Sequence, residues 1–424
     1  MMWNISAETC TARLVTVYAC WPLPVLALFL SVGLLAQQLS LVGAIREALD
    51  KHPLLAAADG RVSTAQGLLE QASLKPNPRL TVQMENLRGG WQSPYRPFND
   101  NDHFVFLTQT LETARKRERR TDLATANKEL AGIAKDILAQ HIAVRVRDAF
   151  WNALGTASAA AIYEETLKNF AQTVAYHEVR VREGNMAEAD LIRIRLEMAR
   201  LRLAASNAAL TAERASINLQ REMGRTQFEA SPLLAGTIDG HSTIPPENPD
   251  DALNRRAEVR LARQGMAAAM ANEQLQTALA RPDFDVAGGY KRTNGYDGLL
   301  AYFNMDMPWR NRNQGNIAAA AAETRVARSN AAAAEAMVRA EIRSAYAAYR
   351  LRQNQITGML NELVTHARDT ARIAQSAYRE GGADLLRLLD AERVRLETEL
   401  LRVQAQTEFR LSEAAVETAM GVMP

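Results

Sequence analysis

The chain has 424 residues, which is enough for two or three domains of ordinary size. Its 50 basic residues nearly balance 48 acidic ones, so the composition excludes an overall electrostatic drive toward nucleic acid. Aromatic residues make up only 6% of the sequence, whereas alanine and arginine are abundant. This composition favours long helices packed through small residues over one thick globular core.

The first 36 residues have the pattern of an export signal. Residues 21–36 are almost wholly apolar but contain two prolines, and the run is too short for a membrane-spanning helix. The pattern predicts a signal peptide at 1–36 with cleavage near Ala36, and an uncleaved anchor is the alternative. Both cysteines, Cys10 and Cys20, lie in this segment, so the chain from residue 37 onward contains no thiol, which suits an oxidising compartment.

The first strands are indicated by alternation of apolar and polar residues. Leu80, Val82 and Met84 alternate with polar side chains, and residues 103–111 form a second, less regular strand-like segment. The sequence therefore predicts a β-hairpin over residues 79–111. Its connecting loop is long and rich in Gly, Pro, Asn and Asp.

Two long spans without proline follow. Residues 98–231 and 309–423 contain none, and proline in a helix interior would cost about 3 kcal/mol. Gly184 and Gly381 stand near the middles of these spans, which predicts two helical hairpins, each bent at its glycine. The first arm, residues 113–183, would be about 100 Å long at 1.5 Å per residue, a length typical of coiled coils and tubes.

The apolar residues of the predicted arms recur at helical spacing, with polar residues between them. In the first half they are Leu191, Ile194, Met198, Leu201 and Ala205. In the second half they are Leu385, Leu388 or Leu389, Leu396 and Leu400, with Arg393 at the position between. An ordinary amphipathic bundle would show the same spacing. The length of the arms favours the tube.

A second β-hairpin is predicted at residues 283–308, with a turn at 293–298. Both hairpins are rich in aromatic residues, and aromatic girdles beside an apolar outer band are typical of outer-membrane β-barrels. A soluble β-subdomain with an aromatic core is the alternative. The aromatic residues expected at the membrane interface are Trp91, Phe104, Phe106, Tyr290, Tyr302 and Trp309.

The chain carries an internal duplication. The triplet at 182–184 is followed by Met223-Gly224, and the same triplet at 379–381 is followed by Met420-Gly421. Both intervals are 40 residues (224 − 184 and 421 − 381), and the copies are 197 apart (381 − 184). Upstream, the segments that begin at Arg147 and Arg343 correspond with a one-residue slip. We expect a first repeat at 37–224, a linker at 225–250 and a second repeat at 251–424.

Four strands cannot close a barrel, and lipid cannot satisfy the backbone of an unpaired edge strand. Three copies of the chain would supply twelve strands, an even number that such barrels allow. The predicted fold class is therefore mainly α with a small β part. Duplicated long helical hairpins form an α-barrel, and four strands per chain contribute to a trimeric twelve-stranded transmembrane β-barrel.

The sequence shows no motif for catalysis, metal binding or cofactor binding. The six histidines include no pair at helical ligand spacing, and an apolar lipid-facing strand explains Met305 and Met307 better than a copper site does. There is no phosphate-cradling glycine loop and no nucleophile elbow, so neither an enzyme nor a cofactor is expected. The basic run at 115–120 opens a long helix, and we expect lipid headgroups or partner carboxylates, rather than nucleic acid, to place it.

Several short motifs resemble those of the TolC-type outer-membrane efflux channels, and most closely those of the CzcC-like heavy-metal branch. They are Ala44–Leu49 with His52-Pro53, Pro76–Pro78, Met84–Asn86, Gln109–Glu112 with Lys116-Arg117, Arg312–Ile317 and the two Arg-Glu-Gly turns. One departure is the segment Thr113–Arg115, which stands where the branch has paired glycines.

This resemblance implies a homotrimer in the cell outer membrane, with contacts to outer-membrane lipid and a long periplasmic extension. Such a channel would passively conduct substrates, here heavy-metal cations, from an inner-membrane RND-type pump through a periplasmic adaptor protein. Drug efflux and type I protein secretion are alternatives within the family. A periplasmic coiled-coil scaffold is the alternative of another class.

The resemblance also implies roles for residues at the predicted helix tips. The expected adaptor contacts are the turn residues Arg182, Glu183, Gly184, Arg379, Glu380 and Gly381. The expected periplasmic gate consists of Asp190, Tyr378, Arg387 and Asp390. Arg387 stands at a position that is acidic in the best-known members, so an Arg–Asp pairing would weaken or replace the acidic constriction. Asp390 would either form a cation-attracting ring of carboxylates or pair, solvated, with Arg387 or Arg393.

Overall fold

The computed structural model describes residues 38–87, 96–228, 232–240, 244 and 246–422. The predicted signal peptide at 1–36 and Trp91 lie outside these residues. Long helices make up most of the described chain, and the strands form one four-stranded sheet. This composition agrees with the predicted mainly α class.

The first half begins with two short helices and ends with two long ones. Its elements are α1 (Leu41–Lys51), α2 (Pro53–Ser73), β1 (Arg79–Glu85), α3 (Pro97–Asp100), β2 (Asp102–Leu111), α4 (Lys116–Arg182) and α5 (Glu188–Glu222). The first arm begins at Lys116, three residues later than predicted. The reason is local, because Ala114 and Arg115 have φ angles of 52° and 58°, which an α-helix cannot include.

The second half follows the same order. Its elements are α6 (Pro249–Arg255), α7 (Ala257–Leu279), β3 (Phe284–Thr293), β4 (Tyr296–Met305), α8 (Gln314–Asn354), a π-helical turn (Gln355–Leu360), α9 (Asn361–Arg379) and α10 (Leu385–Ala419). Helix α6 begins within the region expected to be a linker. The second arm is therefore α8 and α9 joined by the π-helical turn.

The sheet contains both predicted hairpins and joins them. Its order is β1-β2-β3-β4, and each neighbouring pair is antiparallel. The turn of the second hairpin is tighter than expected. Asn294 and Gly295 alone connect β3 to β4, and their φ angles of 49° and 81° are those of a two-residue type I′ turn.

The duplicated glycines end helices in the same way. Gly184 has a φ of 74°, and the next N–H, that of Asn185, donates to the carbonyl of Arg180 at 2.8 Å. Gly381 has a φ of 81°, and the N–H of Gly382 donates to the carbonyl of Ala377 at 2.7 Å. These are Schellman caps, which need a residue that tolerates positive φ. The predicted reversal of both arms at these glycines is confirmed.

The π-helical turn accounts for the one-residue slip between the halves. Buried Val146 on α4 corresponds to buried Ile342 on α8 at a spacing of 196 (342 − 146), whereas Gly184 and Gly381 are 197 apart (381 − 184). One additional residue therefore lies between these points in the second half. A π-helical turn takes it up, because i→i+5 bonding holds one more residue per turn than i→i+4 bonding does.

Two apolar cores hold the arms together. One lies around the middle of α4 and contains Phe150 with Leu219 and Met223 from the end of α5. The other contains Ile342 from α8 and Val416 from α10. The fully buried guanidinium of Arg147 bonds across the halves, 2.7 Å from the carbonyl oxygen of Ala414 and 3.2 Å from a carboxylate oxygen of Glu417. These contacts form a belt at mid-height on the long helices.

Candidate functional site

One face of the sheet is apolar and exposed. The register places Val82, Val105, Tyr290 and Leu299 in one row across all four strands, so their side chains share a face. The large exposed side chains on this face are Leu80, Val82, Met84, Val105, Leu107, Leu111, Val286, Tyr290, Leu299, Phe303 and Met305. Leu299 is 88% exposed. A contiguous apolar surface of this kind indicates contact with lipid or with another protein.

The opposite face is polar, and it carries three of the predicted interface aromatics. Phe106 and Tyr302 meet edge to face with ring centroids 5.4 Å apart, and the hydroxyls of Tyr302 and Thr108 are 3.1 Å apart. Phe104 shares this face, opposite Lys291 on the neighbouring strand. The reason is the two-residue period of a strand, which turns these aromatic side chains away from the apolar surface.

Phe104, Phe106 and Tyr302 lie on the polar face. Their expected position at the membrane interface stays a prediction. Tyr290 lies on the apolar face, as that expectation requires. Trp309 follows β4 and is 77% exposed. The predicted interface role stays a prediction for Tyr290 and Trp309.

Asp102 forms hydrogen bonds that connect the strands at the end of the sheet where the hairpin loops lie. Its side chain is 6% exposed and accepts hydrogen bonds from the Asn86 amide and, at 2.9 Å, from the backbone N–H of Asn294. Asn86 follows β1 and has a φ of 54°, and Asn294 begins the β3–β4 turn. One carboxylate thus joins three strands where the sheet's hairpins turn.

Basic residues of the run at 115–120 form ion pairs with carboxylates at the junction between the sheet and the long helices. The ammonium of Lys116 is buried and lies 2.7 Å from Asp283, and the guanidinium of Arg120 lies 2.6 Å from Glu112. Asp283 also accepts from the backbone N–H of Thr113 at 2.8 Å. Carboxylates of the same chain therefore place Lys116 and Arg120, in agreement with the expectation that partner carboxylates account for this run.

At the helix tips, the structure brings Tyr378 against His177. The Tyr378 hydroxyl lies 2.6 Å from Nε2 of His177, and the two rings stack with centroids 5.5 Å apart. His177 is on α4 and fully buried, whereas Tyr378 is half-buried on α9. Burial raises the pKa of the Tyr378 phenol, with smaller effects from Arg180 and Asp190. Sequence reasoning missed His177, because nothing in its own segment marks a partner about 200 residues away.

The acidic and basic residues after the tip turns are mostly exposed. Asp390 pairs with Arg393 on the same helix at 3.0 Å. The backbone N–H of Arg387 is capped by Asp384 at 2.9 Å, and its side chain forms no ion pair within the part of the chain that the structure describes. Of the two pairings expected for Asp390, the single chain contains the one with Arg393.

The two halves carry opposite charges at matching positions after their tip turns. At the spacing of 197, Asp190 corresponds to Arg387 (387 − 190) and Arg193 corresponds to Asp390 (390 − 193). Each of α5 and α10 therefore has one acid and one base three residues apart, but in reverse order. Neither Asp190 nor Arg193 forms an ion pair among the described residues.

A cavity of about 730 Å³ lies between α4, α9 and α10 beside the tip contact. His177 and Tyr378 both line it, together with Phe170, Arg372 and Leu388. The contact between the two rings therefore lies at the wall of this cavity.

The described residues contain no group of three or more His, Cys, Asp or Glu side chains arranged to hold a metal ion. Among their helices, none combines the length and the apolar character that a membrane crossing requires.

Residues 44–225 match the sequence profile of the family described as Outer membrane efflux protein. No curated protein matches the chain.

Solved structures match over nearly the whole chain. They include the outer membrane protein VceC of Vibrio cholerae (18% identity, TM-score 0.72, covering 90% of this chain and 96% of that one). The CmeC outer membrane channel of Campylobacter jejuni matches with 14% identity and a TM-score of 0.77, covering 90% and 85%. The open state of the MtrE outer membrane channel of Neisseria gonorrhoeae matches with 19% identity and a TM-score of 0.75, covering 90% and 88%. The chain therefore has the fold of these channels, long helical hairpins joined to a small sheet.

Proposed function

We propose that the chain is a member of the outer membrane efflux protein family and forms, as a homotrimer, the outer-membrane channel of a tripartite efflux system. The observation that carries this proposal is the sheet, which has an exposed apolar face. An ion pair joins the end of this sheet to the first helical arm, which is about 100 Å long. The match of residues 44–225 and the shared fold support it.

Assembly from several copies follows from the sheet's edges. Among the described residues of one chain, β1 and β4 are the outer strands of the sheet, and each has one side without a partner strand. Lipid offers no hydrogen bonds to such an edge, so a membrane-embedded sheet must close on itself. Three copies place β4 of one chain beside β1 of the next and complete twelve strands. The apolar face then contacts outer-membrane lipid, the polar face lines the pore, and the helices extend into the periplasm.

A periplasmic scaffold with a soluble β-cap is the competing function of another class. The eleven large apolar side chains on one face of the sheet argue against it, because a soluble cap would bury such a surface. Phe106 and Tyr302 on the other face do not supply a covering layer, since they pack on one another beside Thr108.

The helix tips form the periplasmic entrance in this proposal. The two Schellman turns present Arg182–Gly184 and Arg379–Gly381 to a periplasmic adaptor, which links the channel to an inner-membrane RND-type pump. Asp190, Tyr378, Arg387 and Asp390 form the gate. Around a three-fold axis, matching positions of α5 and α10 alternate acid and base, so the ring at each level carries little net charge.

Heavy-metal cations are the proposed substrates, and the support for them is the resemblance of Pro76–Pro78, Met84–Asn86 and Arg312–Ile317 to the metal branch. Organic drugs are the second candidate. The alternating charges at the entrance favour neither, so the selectivity of the system lies in the pump.

Membrane fractionation tests the channel directly. The full chain should appear in the outer-membrane fraction as a trimer that separates into monomers on heating in detergent, and it should form conducting pores in planar bilayers. A folded monomer that stays in the periplasmic fraction without detergent would overturn the proposal. Comparing the sensitivity of a deletion strain to Cu²⁺, Zn²⁺ and Ag⁺ with its sensitivity to organic drugs distinguishes the substrates.

A further inference from the structure

His52 lies at the corner between α1 and α2, since it ends the first helix and directly precedes the second. Its Nδ1 accepts a hydrogen bond from the backbone N–H of Leu54 at 3.2 Å, which caps the first turn of α2. Only neutral imidazole leaves Nδ1 free to accept, because both ring nitrogens carry protons in imidazolium. The residue is 8% exposed. The cap therefore depends on the protonation state of a buried histidine.

The imidazole ring packs against the end of α5. A Cβ on Gly224 would lie 2.9 Å from Cδ2 and 3.0 Å from Cγ of His52, so only glycine leaves room for the ring. Gly224 has a φ of 79°, and the N–H of Arg225 donates to the carbonyl of Gln220 at 3.1 Å. The guanidinium of Arg225 also bonds to Glu47 on α1. The ring therefore lies between the α1–α2 corner and the C-terminal cap of α5.

Charged groups face the ring from two packed helices. Arg145 on α4 disfavours a positive imidazole, whereas Glu222 near the end of α5 favours one. The Glu222 carboxylate is shared, because it lies 3.4 Å from Arg145 and 2.7 Å from Arg221. On the corner itself, Lys51 ends α1, and residues 53–58 of α2 are uncharged. The surroundings of the ring therefore offer little negative charge to stabilise imidazolium.

The burial of His52, followed by the charge of Arg145, lowers the pKa of its imidazole below the ordinary value of 6.5. A histidine whose pKa is lower in the folded state than in the unfolded state stabilises the fold at pH values above its unfolded-state pKa. This stabilisation is lost as the pH falls from about 6.5 through the folded-state pKa. Mild acid therefore weakens the corner before the carboxyl of Glu47 titrates.

The second half has the same corner with a different side chain. Arg256 corresponds to His52 at a spacing of 204 (256 − 52), since it ends α6 and precedes α7. The backbone angles nearly coincide, with φ −66° and ψ 125° at His52 and φ −65° and ψ 122° at Arg256. Gly421 after α10 also packs on this corner, because a Cβ there would lie 3.0 Å from Cβ of Arg255. The two corners thus share one backbone geometry.

Arg256 holds its corner with a permanent charge. Its guanidinium donates to the carbonyl of Ala419 at 3.3 Å, at the end of α10, and pairs with Glu258 at 2.9 Å and with Glu341 at 2.7 Å. A guanidinium does not lose its proton in proteins. Its side chain makes no cap bond to α7, so no acceptor there can be lost by protonation. The second corner is therefore independent of mild acid.

We propose that His52 is a pH-sensitive switch. Its protonation removes the cap on α2 and releases the α1–α2 corner from the end of α5, while the corner at Arg256 stays in place. Mild acid then loosens the belt in the first half of the chain and leaves the second half fixed. This inference goes beyond the proposed function, because it concerns the folded chain whether or not the chain conducts.

Amide hydrogen exchange of the detergent-solubilised full chain at pH 7 and pH 5 tests the proposal, with rates corrected for the intrinsic effect of pH on exchange. Residues 44–58 should exchange about fivefold faster at pH 5, the factor expected for loss of one N-cap. Residues 248–262, which correspond to them at the spacing of 204, are the internal control and should keep their corrected rate. Unchanged exchange at 44–58, or equal acceleration at both corners, would overturn the proposal.

Two variants assign the effect to one histidine. His52→Asn keeps an acceptor for the N–H of Leu54 but cannot be protonated, so its exchange at residues 44–58 should be nearly the same at both pH values. His141→Asn is the matched control, because it removes a histidine of α4 whose side chain is 60% exposed, and it should keep the wild-type acceleration. Acceleration that persists in His52→Asn would overturn the assignment. If His52→Asn fails to fold, the comparison of the two corners in the wild type still decides the proposal.

Discussion

Lys116 on α4 and Asp283 before β3 form an ion pair of 2.7 Å between the two halves of the chain. The ammonium end is almost fully buried, and the carboxylate also accepts from the N–H of Thr113. The pair lies where the sheet continues into the first arm. It therefore ties the start of β3 to the start of the first arm.

We expect Lys116→Met to destabilise the assembled protein by about 3 kcal/mol, because removal of one partner leaves the other charge without compensation. The measurement is the urea midpoint of the detergent-solubilised trimer. Lys135→Met is the control, since Lys135 pairs with Asp59 at an exposed site and should cost less than about 1 kcal/mol. Equal losses in the two variants would show that burial of the pair is unimportant.

Alanine substitutions at two adjacent glycines in β3 should have opposite effects on assembly. A Cβ on Gly289 would lie 2.2 Å from the carbonyl oxygen of Val105 and 2.5 Å from the Cα of Phe106. A Cβ on Gly288 would meet only the carbonyl oxygen of Leu300, at 4.0 Å. Gly289→Ala should therefore cost about 1–3 kcal/mol through overpacking, and it should reduce the yield of heat-sensitive trimer on gels. Gly288→Ala should assemble normally.

The strands and the helix reversals could be predicted from the sequence because their signals are local. The alternation at Leu80, Val82 and Met84, the Asn294-Gly295 turn and the positive φ of Gly184 each depend on a few neighbouring residues. The face on which an aromatic side chain lies follows from the same two-residue period. Composition alone grouped Phe106 with Tyr290, whereas the register places these two side chains on opposite faces of the sheet.

The contacts that could not be predicted join distant parts of the chain. The hydrogen bond between His177 and Tyr378 spans 201 residues (378 − 177) and exists only because α4 and α9 both pack against α10. The π-helical turn at Gln355–Leu360 also cannot be predicted from its local sequence, since its residues are compatible with an ordinary α-helix. Its only trace in the sequence is the change of spacing between the halves from 196 to 197.

Docking of α1 should be sensitive to acid. Both carboxylate oxygens of Glu47 lie 2.8 Å from the guanidinium of Arg225, and this hydrogen bonding lowers the pKa of Glu47 below its usual 4.5. A carboxyl group whose pKa is lower in the folded state than in the unfolded state stabilises the protein at pH values above its unfolded-state pKa. This stabilisation is lost as the pH falls through the folded-state pKa. The free energy of unfolding should therefore drop as the pH falls below about 4.5.

Urea unfolding at pH 7 and at pH 4 or below measures this effect. Glu47→Gln should be less stable than the wild type at pH 7 and should lose less stability on acidification, so that the two curves converge. Glu70→Gln is the control, because Glu70 is exposed and its carboxylate bonds only to Gln66 within the described residues. Parallel curves for the wild type and Glu47→Gln would contradict the prediction.

The reversed charges at Asp190 and Arg387 predict weak ion selectivity at the entrance. If these positions alternate around the pore, their rings carry equal numbers of acids and bases. Arg387→Glu would replace three bases with three carboxylates in the trimer. It should raise the permeability ratio of K⁺ to Cl⁻ in planar bilayers by about threefold or more, because a ring of like charges concentrates counter-ions.

The control for this measurement is Arg214→Glu, the same charge change at an exposed position further along α5. It should leave the permeability ratio nearly unchanged. Asp390→Asn should lower the ratio by a smaller factor, because it removes one charge per subunit and leaves the matching Arg193 without its acidic counterpart in the ring. A ratio that shifts equally in Arg387→Glu and Arg214→Glu would show that the overall charge, and not a ring at the tip, sets selectivity. Strong cation selectivity of the wild type would contradict the alternating arrangement itself, since a ring with cancelling charges cannot produce it.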